Sequence, residues 1–159
     1  MNVRLFLTVL TWGLTLVYPI AKQAHAEKST NIFEIRLATF EAQAGFNKSA
    51  KVYNKTIYLS NEVMLTFEDV SEVKPYKDQQ KAPGLALNFN QKGAKKLNTL
   101  TAKNVGKALV FIFKGKVISA PQIKEKIAGD RLMLNLGKFD HFEALVAELN
   151  AILKSRQKK

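Results

Sequence analysis

Residues 88–123, from Asn88 to Ile123, read NFNQKGAKKLNTLTAKNVGKALVFIFKGKVISAPQI. Asn90 is a residue type that caps helices by accepting a bond from the exposed amide groups of the first turn. From Gln91 the positions Ala94, Leu97, Thr101 and Val105 return on one helical face, with Lys92, Lys95, Lys96 and Lys103 elsewhere on the surface. Gly93 weakens the first turn by roughly 0.5–1 kcal/mol against alanine, which suggests close approach to a neighbouring backbone. Gly106 stands where a left-handed residue would close the helix. Ala108–Phe113 (ALVFIF) is apolar at every position, the mark of a central strand covered on both faces. Lys114-Gly115 is a two-residue hairpin loop, Lys116–Ala120 the returning strand, and Pro121 its stop.

Working outward, Leu85, Leu87 and Phe89 align as a strand entered from the polar turn Lys77–Pro83, and Val70–Tyr76 reads as its hairpin partner, interrupted at Pro75. Ile32–Ala38 alternates, with Phe33, Ile35 and Leu37 on one face and Glu34 and Arg36 on the other, which predicts a half-buried strand. Thr39–Lys55 has no clear period and reads as a loop, Thr56–Leu59 as a short strand. Met64, Phe67 and Val70 recur at helical spacing, with Thr66 and Asp69 as a weak capping pair. Beyond the turn at Ala128-Gly129-Asp130, Leu132, Leu134 and Leu136 mark another strand. Asp140 and Glu143 then have capping-box spacing, and Phe139 is placed to staple on Ala144. Phe142, Leu145, Val146, Leu149, Ile152 and Leu153 form one apolar stripe over about four turns.

From Leu85 the order is strand, helix, strand, strand, strand, helix. It predicts an α+β two-layer domain, a mostly antiparallel sheet with two main helices on one face. The organisation expected is a signal peptide at 1–26, N-terminal strands and a small lobe at 27–84, the α+β core at 85–154 and a basic tail at 155–159.

The first segment has a positive n-region at Arg4, an apolar run from Leu5 to Ile20, and Ala24-His25-Ala26 as a cleavage site. That run, about 16 residues, falls short of the ~20 that span a bilayer. The expectation is export to the periplasm with cleavage after Ala26; an uncleaved signal holding the chain at the inner membrane is the alternative. No cysteine occurs anywhere in the 159 residues, which excludes disulfides, thiolate zinc sites and a lipoprotein anchor.

The formal net charge is +12, and about +10 once Arg4 and Lys22 leave with the signal. Lys92, Lys95, Lys96, Lys103, Lys107, Lys114 and Lys116 concentrate it, with Lys124 and Lys126 beyond, against the single acid Glu125. Such a field attracts anionic surfaces, lipid or polysaccharide, and the seven named first are the candidate partner-binding residues. Nucleic acid fits poorly: the nearby aromatics Phe111 and Phe113 belong to a buried strand, and no arginine fork accompanies the lysines.

Catalysis finds no constellation. His25 leaves with the signal, His141 is isolated at the start of the last helix, and Ser119 has no base and no glycine elbow. The acids Glu68, Asp69 and Glu72 lack the spacing of a calcium loop. No phosphate-cradling glycine loop suggests a cofactor. A non-catalytic binding domain is the reading.

The opening stretch resembles the head subdomain of the first periplasmic domain of SecD, a subunit of the bacterial protein-export machinery. The likeness rests on Leu87-Asn88-Phe89, Gly93-Ala94-Lys95-Lys96-Leu97, Thr101-Ala102-Lys103-Asn104-Val105-Gly106, Gly115, and Val117-Ile118-Ser119-Ala120-Pro121-Gln122-Ile123, continuing into Ile127 and Gly129. The motif residues so marked are Gly93, Ala94, Thr101, Asn104, Gly106, Gly115, Ser119, Pro121 and Gly129. The chain departs from the family at Lys114, where the resemblance predicts an acid, and it shows no multi-helix membrane region. The resemblance implies a free-standing exported head that contacts polypeptide or a protein partner in the envelope. Two other classes remain open: a lysine-rich protein on anionic surfaces, and an inhibitor or immunity-type module on the same fold.

Overall fold

The computed structural model describes residues 32–52, 54–137 and 141–157. The expected signal peptide, the capping pair and staple at Asp140 and Phe139, and the tip of the basic tail lie outside the described residues. In chain order the elements are β1 (Phe33–Thr39), β2 (Lys48–Val52), β3 (Lys55–Leu59), β4 (Leu65–Thr66), a 3-10 turn (Phe67–Asp69), β5 (Val70–Lys77), β6 (Pro83–Phe89), α1 (Gln91–Lys103), β7 (Ala108–Phe113), β8 (Lys116–Ser119), β9 (Arg131–Asn135) and α2 (Phe142–Gln157).

The architecture is α+β with antiparallel pairing throughout, and the strands divide between two sheets. One runs β2-β3-β1-β7-β8, with β4 also on β1; the other runs β5-β6-β9. Both sheets draw strands from either side of position 84, since β1 pairs with β7 over its length and β5 pairs with β6. The main core joins them. Phe33, Ile35 and Leu37 of β1, Leu109 and Phe111 of β7 and Leu85, Leu87 and Phe89 of β6 meet Leu97 of α1 and Leu145, Leu149 and Leu153 of α2. Each such side chain contributes about 1.5–3 kcal/mol by leaving water. Phe33 sits edge-on to Phe67 with ring centroids 5.6 Å apart, which ties the 3-10 turn to β1.

Several expectations are corrected. β1 is buried on both faces: Glu34 is 4% and Arg36 8% exposed. The cause lies in residues 39–55, read as a loop, which contain β2. β3 carries Ile57 and Leu59, and β2 Ala50 and Val52, to the second face of β1 and β7, where Ala38, Ala108 and Val110 complete a second apolar cluster. β2 comes back against β8, so this sheet curls toward a small barrel. The helix expected near 61–70 is β4 followed by a single 3-10 turn. Of the capping pair, the Thr66 amide donates to Asp69 Oδ2 at 3.0 Å. Pro75 does not interrupt β5, because β5 is an edge strand and its outer side needs no donor. Val105 lies beyond α1 and is 56% exposed, since the chain leaves helical geometry at Asn104. Ala94, Leu97 and Thr101 do form the inward face. Pairing with Thr101 supplies the helix end instead: the Asn104 amide donates to the Thr101 carbonyl.

Candidate partner-binding surfaces and the family motif

The motif residues prove to be joinery. The Asn90 side chain accepts from the Gly93 amide at 2.9 Å, and the Asn90 amide donates to the Asp69 carbonyl at 3.0 Å. The α1 N-terminus thus sits directly on the 3-10 turn. A β-carbon at Gly93 would collide with the Asp69 carbonyl, which explains the glycine. Thr101 is fully buried; its hydroxyl donates to the Leu97 carbonyl at 2.8 Å and accepts from the Ile127 amide at 3.0 Å. Asn104 Nδ2 donates to the Leu100 carbonyl at 2.8 Å, closing the helix.

Gly106, at φ +92°, exchanges bonds with the 121–123 segment: its amide donates to the Ile123 carbonyl, and its carbonyl accepts from Gln122 Nε2. The Pro121 carbonyl accepts from Leu109 at 2.9 Å, so the run Ser119–Ile123 closes against the start of β7. Ser119 is buried at the end of β8, and its hydroxyl donates to the Asn135 carbonyl at 3.3 Å. Lys114 and Gly115 both have positive φ, +48° and +76°, the two-residue turn whose twist matches a hairpin. Gly129 turns at φ +111°. Ala94 is half-buried on α1.

The seven candidate lysines are not one patch. Lys96 is committed to buried Asp69, with Nζ 2.9 and 3.0 Å from its two oxygens. Lys107 donates to Asn104 Oδ1 at 2.9 Å and lies over the Phe46 ring. Lys114 pairs with Glu148 of α2 at 2.6 Å and stacks over Phe113. Lys92, Lys95 and Lys103 have no carboxylate partner among the described residues and share the exposed side of α1; Lys116 is exposed at the start of β8.

The acids Glu68, Asp69 and Glu72 serve separate ends. Asp69 holds Lys96, while Glu72 accepts from Lys74 at 2.8 Å and from Asn88 at 2.6 Å. The Lys74 hydrogen bond, the largest influence, holds the Glu72 carboxyl below its ordinary range. Among the described residues no group of three or more metal-ligating side chains comes together, and no helix is long and apolar enough to cross a membrane.

One feature escaped the sequence reading. The open end of the curled sheet is a cavity of about 570 Å³, walled by Ile112, Leu59 and Val117 and edged by Lys48 and Lys114. At its base Arg36 Nε donates to Glu34 Oε2 at 2.8 Å, and Arg36 Nη1 bonds the carbonyls of Ser60 and Asn61 at 3.1 and 2.7 Å. Glu34 Oε1 is buried without a partner. Alternation in β1 marked both residues as solvent-facing, and nothing local signals that β2 and β3 cover them.

The chain belongs to the SecDF P1 head subdomain family, whose model matches residues 42–155. It is 37% identical over 95 residues to the protein translocase subunit SecD of Acidaminococcus fermentans, covering 60% of this chain and 22% of that protein. It is 35% identical over 88 residues to SecD of Rhodobacter capsulatus, covering 55% and 16%. A crystal structure of SecDF in a super-membrane-facing form superposes with a TM-score of 0.59 at 23% identity, covering 79% of this chain and 19% of that one. A second SecDF structure, described as a membrane component that enhances protein export, gives 0.59 at 21% identity, covering 79% and 62%. The chain thus spans about a fifth of the curated relatives it matches.

Proposed function

We propose that this chain is a non-catalytic domain of protein export that contacts polypeptide or a protein partner in the cell envelope. The observation that carries the reading is the employment of the motif within the fold. Thr101, Gly106 and Ser119 are bonded to other parts of the domain and Asn104 closes its own helix, so these motif residues are spent on holding the shape of the domain. A rigid α+β body with open surfaces suits transient contact, and no step of chemistry is asked of it. On this reading the chain is exported and its signal is removed after Ala26. The lobe at 27–84 and the core at 85–154 then work as one body.

The test is crosslinking of the full chain in envelope preparations during active export, followed by identification of what is bound. Recovery of export-channel subunits or of polypeptides in transit is the expected result. Recovery of neither, from preparations in which export is running, overturns the reading.

A further inference from the structure

Helix α1 is built against its own electrostatics. Lys92, Lys95, Lys96 and Lys103 fall within about 100° of arc at 3.6 residues per turn, opposite the buried Gly93, Leu97 and Thr101. Lys92 faces both Lys95 and Lys96 at like-charge spacings of three and four residues, each destabilising an isolated helix by a small amount. The first turn contains no acid, and Lys92 stands where the helix dipole is positive. Among the described residues only Lys96 is compensated, by Asp69. A helix whose sole task was to pack would carry glutamates among these lysines.

We propose that the exposed side of α1 is a docking surface for an anionic membrane, with lipid phosphate headgroups as the groups recognised. Charge complementarity is the first argument: Lys92, Lys95 and Lys103 form a row of single sign along a helix of about 20 Å. The second is the choice of residue. Lysine is a compact point charge on a flexible stem, suited to many interchangeable phosphates, whereas arginine forks fix one carboxylate or phosphate in register. No arginine occurs between Asn90 and Asp130. The third is shape. The row lies on the exposed side of the helix with exposed Thr99 between its members, and a broad surface meets such a projecting side more readily than a folded acidic pocket does. Juxtamembrane lysines of this kind each contribute about 1 kcal/mol near an anionic leaflet, or about fivefold in partitioning. Three free lysines give about a hundredfold, with strong salt dependence. This surface is distinct from the contact with polypeptide proposed above and does not depend on it.

The experiment measures sedimentation of the full chain with phosphatidylcholine vesicles containing increasing phosphatidylglycerol, the binding to pure phosphatidylcholine serving as baseline. The increment due to the anionic lipid should disappear at high salt and fall about a hundredfold in Lys92→Gln/Lys95→Gln/Lys103→Gln. Glutamine keeps helix propensity, and far-UV circular dichroism verifies that the variant is folded. A charge-matched control, Lys51→Gln/Lys55→Gln/Lys81→Gln, removes the same charge from other faces and should keep most of the increment. Equal losses in the two triple variants overturn the proposal, because net charge alone would then govern binding. It is also overturned if soluble polyglutamate binds the native chain but not the α1 variant while vesicles recruit both alike, which would make the partner an acidic polypeptide.

Discussion

Arg36 grips Glu34 two residues back along the same strand, at 2.8 Å and under the cover of β2 and β3. Two unlike charges buried under the curled sheet are held by mutual attraction and by the Ser60 and Asn61 carbonyls, against a desolvation penalty of several kcal/mol per ion. Removing one partner strands the other. Arg36→Met should therefore destabilise the domain by about 3–5 kcal/mol. Glu34→Leu/Arg36→Met, which removes both charges, should recover most of that loss. Chemical denaturation of the two variants decides it; equal destabilisation would show that the pair is held by geometry rather than by charge.

A β-carbon on Gly93 would run into the Asp69 carbonyl, in the first turn of a helix where alanine is intrinsically better by about 1 kcal/mol. Gly93→Ala should nonetheless destabilise, by about 1–3 kcal/mol, since the contact is with backbone and cannot swing aside. Thr99→Ala on the exposed side of the same helix gains propensity without the clash and should be neutral or slightly stabilising. A thermal melt in which Gly93→Ala matched Thr99→Ala would remove the close-packing explanation.

How much of this was written in the sequence follows from how local each signal is. Asn90, the apolar spacing of α1 and ALVFIF at 108–113 depend on near neighbours, and the elements stand where the pattern puts them. β2 (KSAKV) is a half-exposed outer strand with two lysines, so it lacks the apolar content that marks a strand. Its absence from the reading left Glu34 and Arg36 assigned to solvent. The division of strands between two sheets rests on pairing between distant segments, such as β1 with β7. The lysines show the same limit: their charge is visible in the sequence. Their commitments are not, because Lys96 meets Asp69 and Lys114 meets Glu148 only across the fold.

Thr101, itself fully buried, links α1 to the segment that follows β8 through one hydroxyl, which accepts from the half-buried Ile127 amide. Thr101→Val preserves the shape and deletes the acceptor. Leaving a part-buried amide without its acceptor costs about 1 kcal/mol, the low end of the range for a buried donor. The loss should be local as well as global: hydrogen exchange of Ile127 should accelerate more than exchange in β1 or β7. Uniform acceleration across the domain would mean that the bond does not specifically anchor the 121–127 segment.

Tyr76 carries a phenol whose pKa is raised above its ordinary value of 10.0, by burial first and by the Asp78 carboxylate second. Its ring lies against Gly84 on the neighbouring strand, which accounts for the burial. The folded chain keeps this proton to higher pH than the unfolded chain does. Between 10.0 and the raised value the unfolded state therefore binds fewer protons, and stability falls as pH rises. The contribution is complete below 10.0 and is lost through the raised pKa. Lysines titrate in the same range, so the informative quantity is the difference between the native chain and Tyr76→Phe. Urea midpoints taken from about pH 9 to about pH 11 should drop more steeply for the native chain than for Tyr76→Phe, which has no proton to hold. Parallel curves would place the Tyr76 hydroxyl in an environment no different from water.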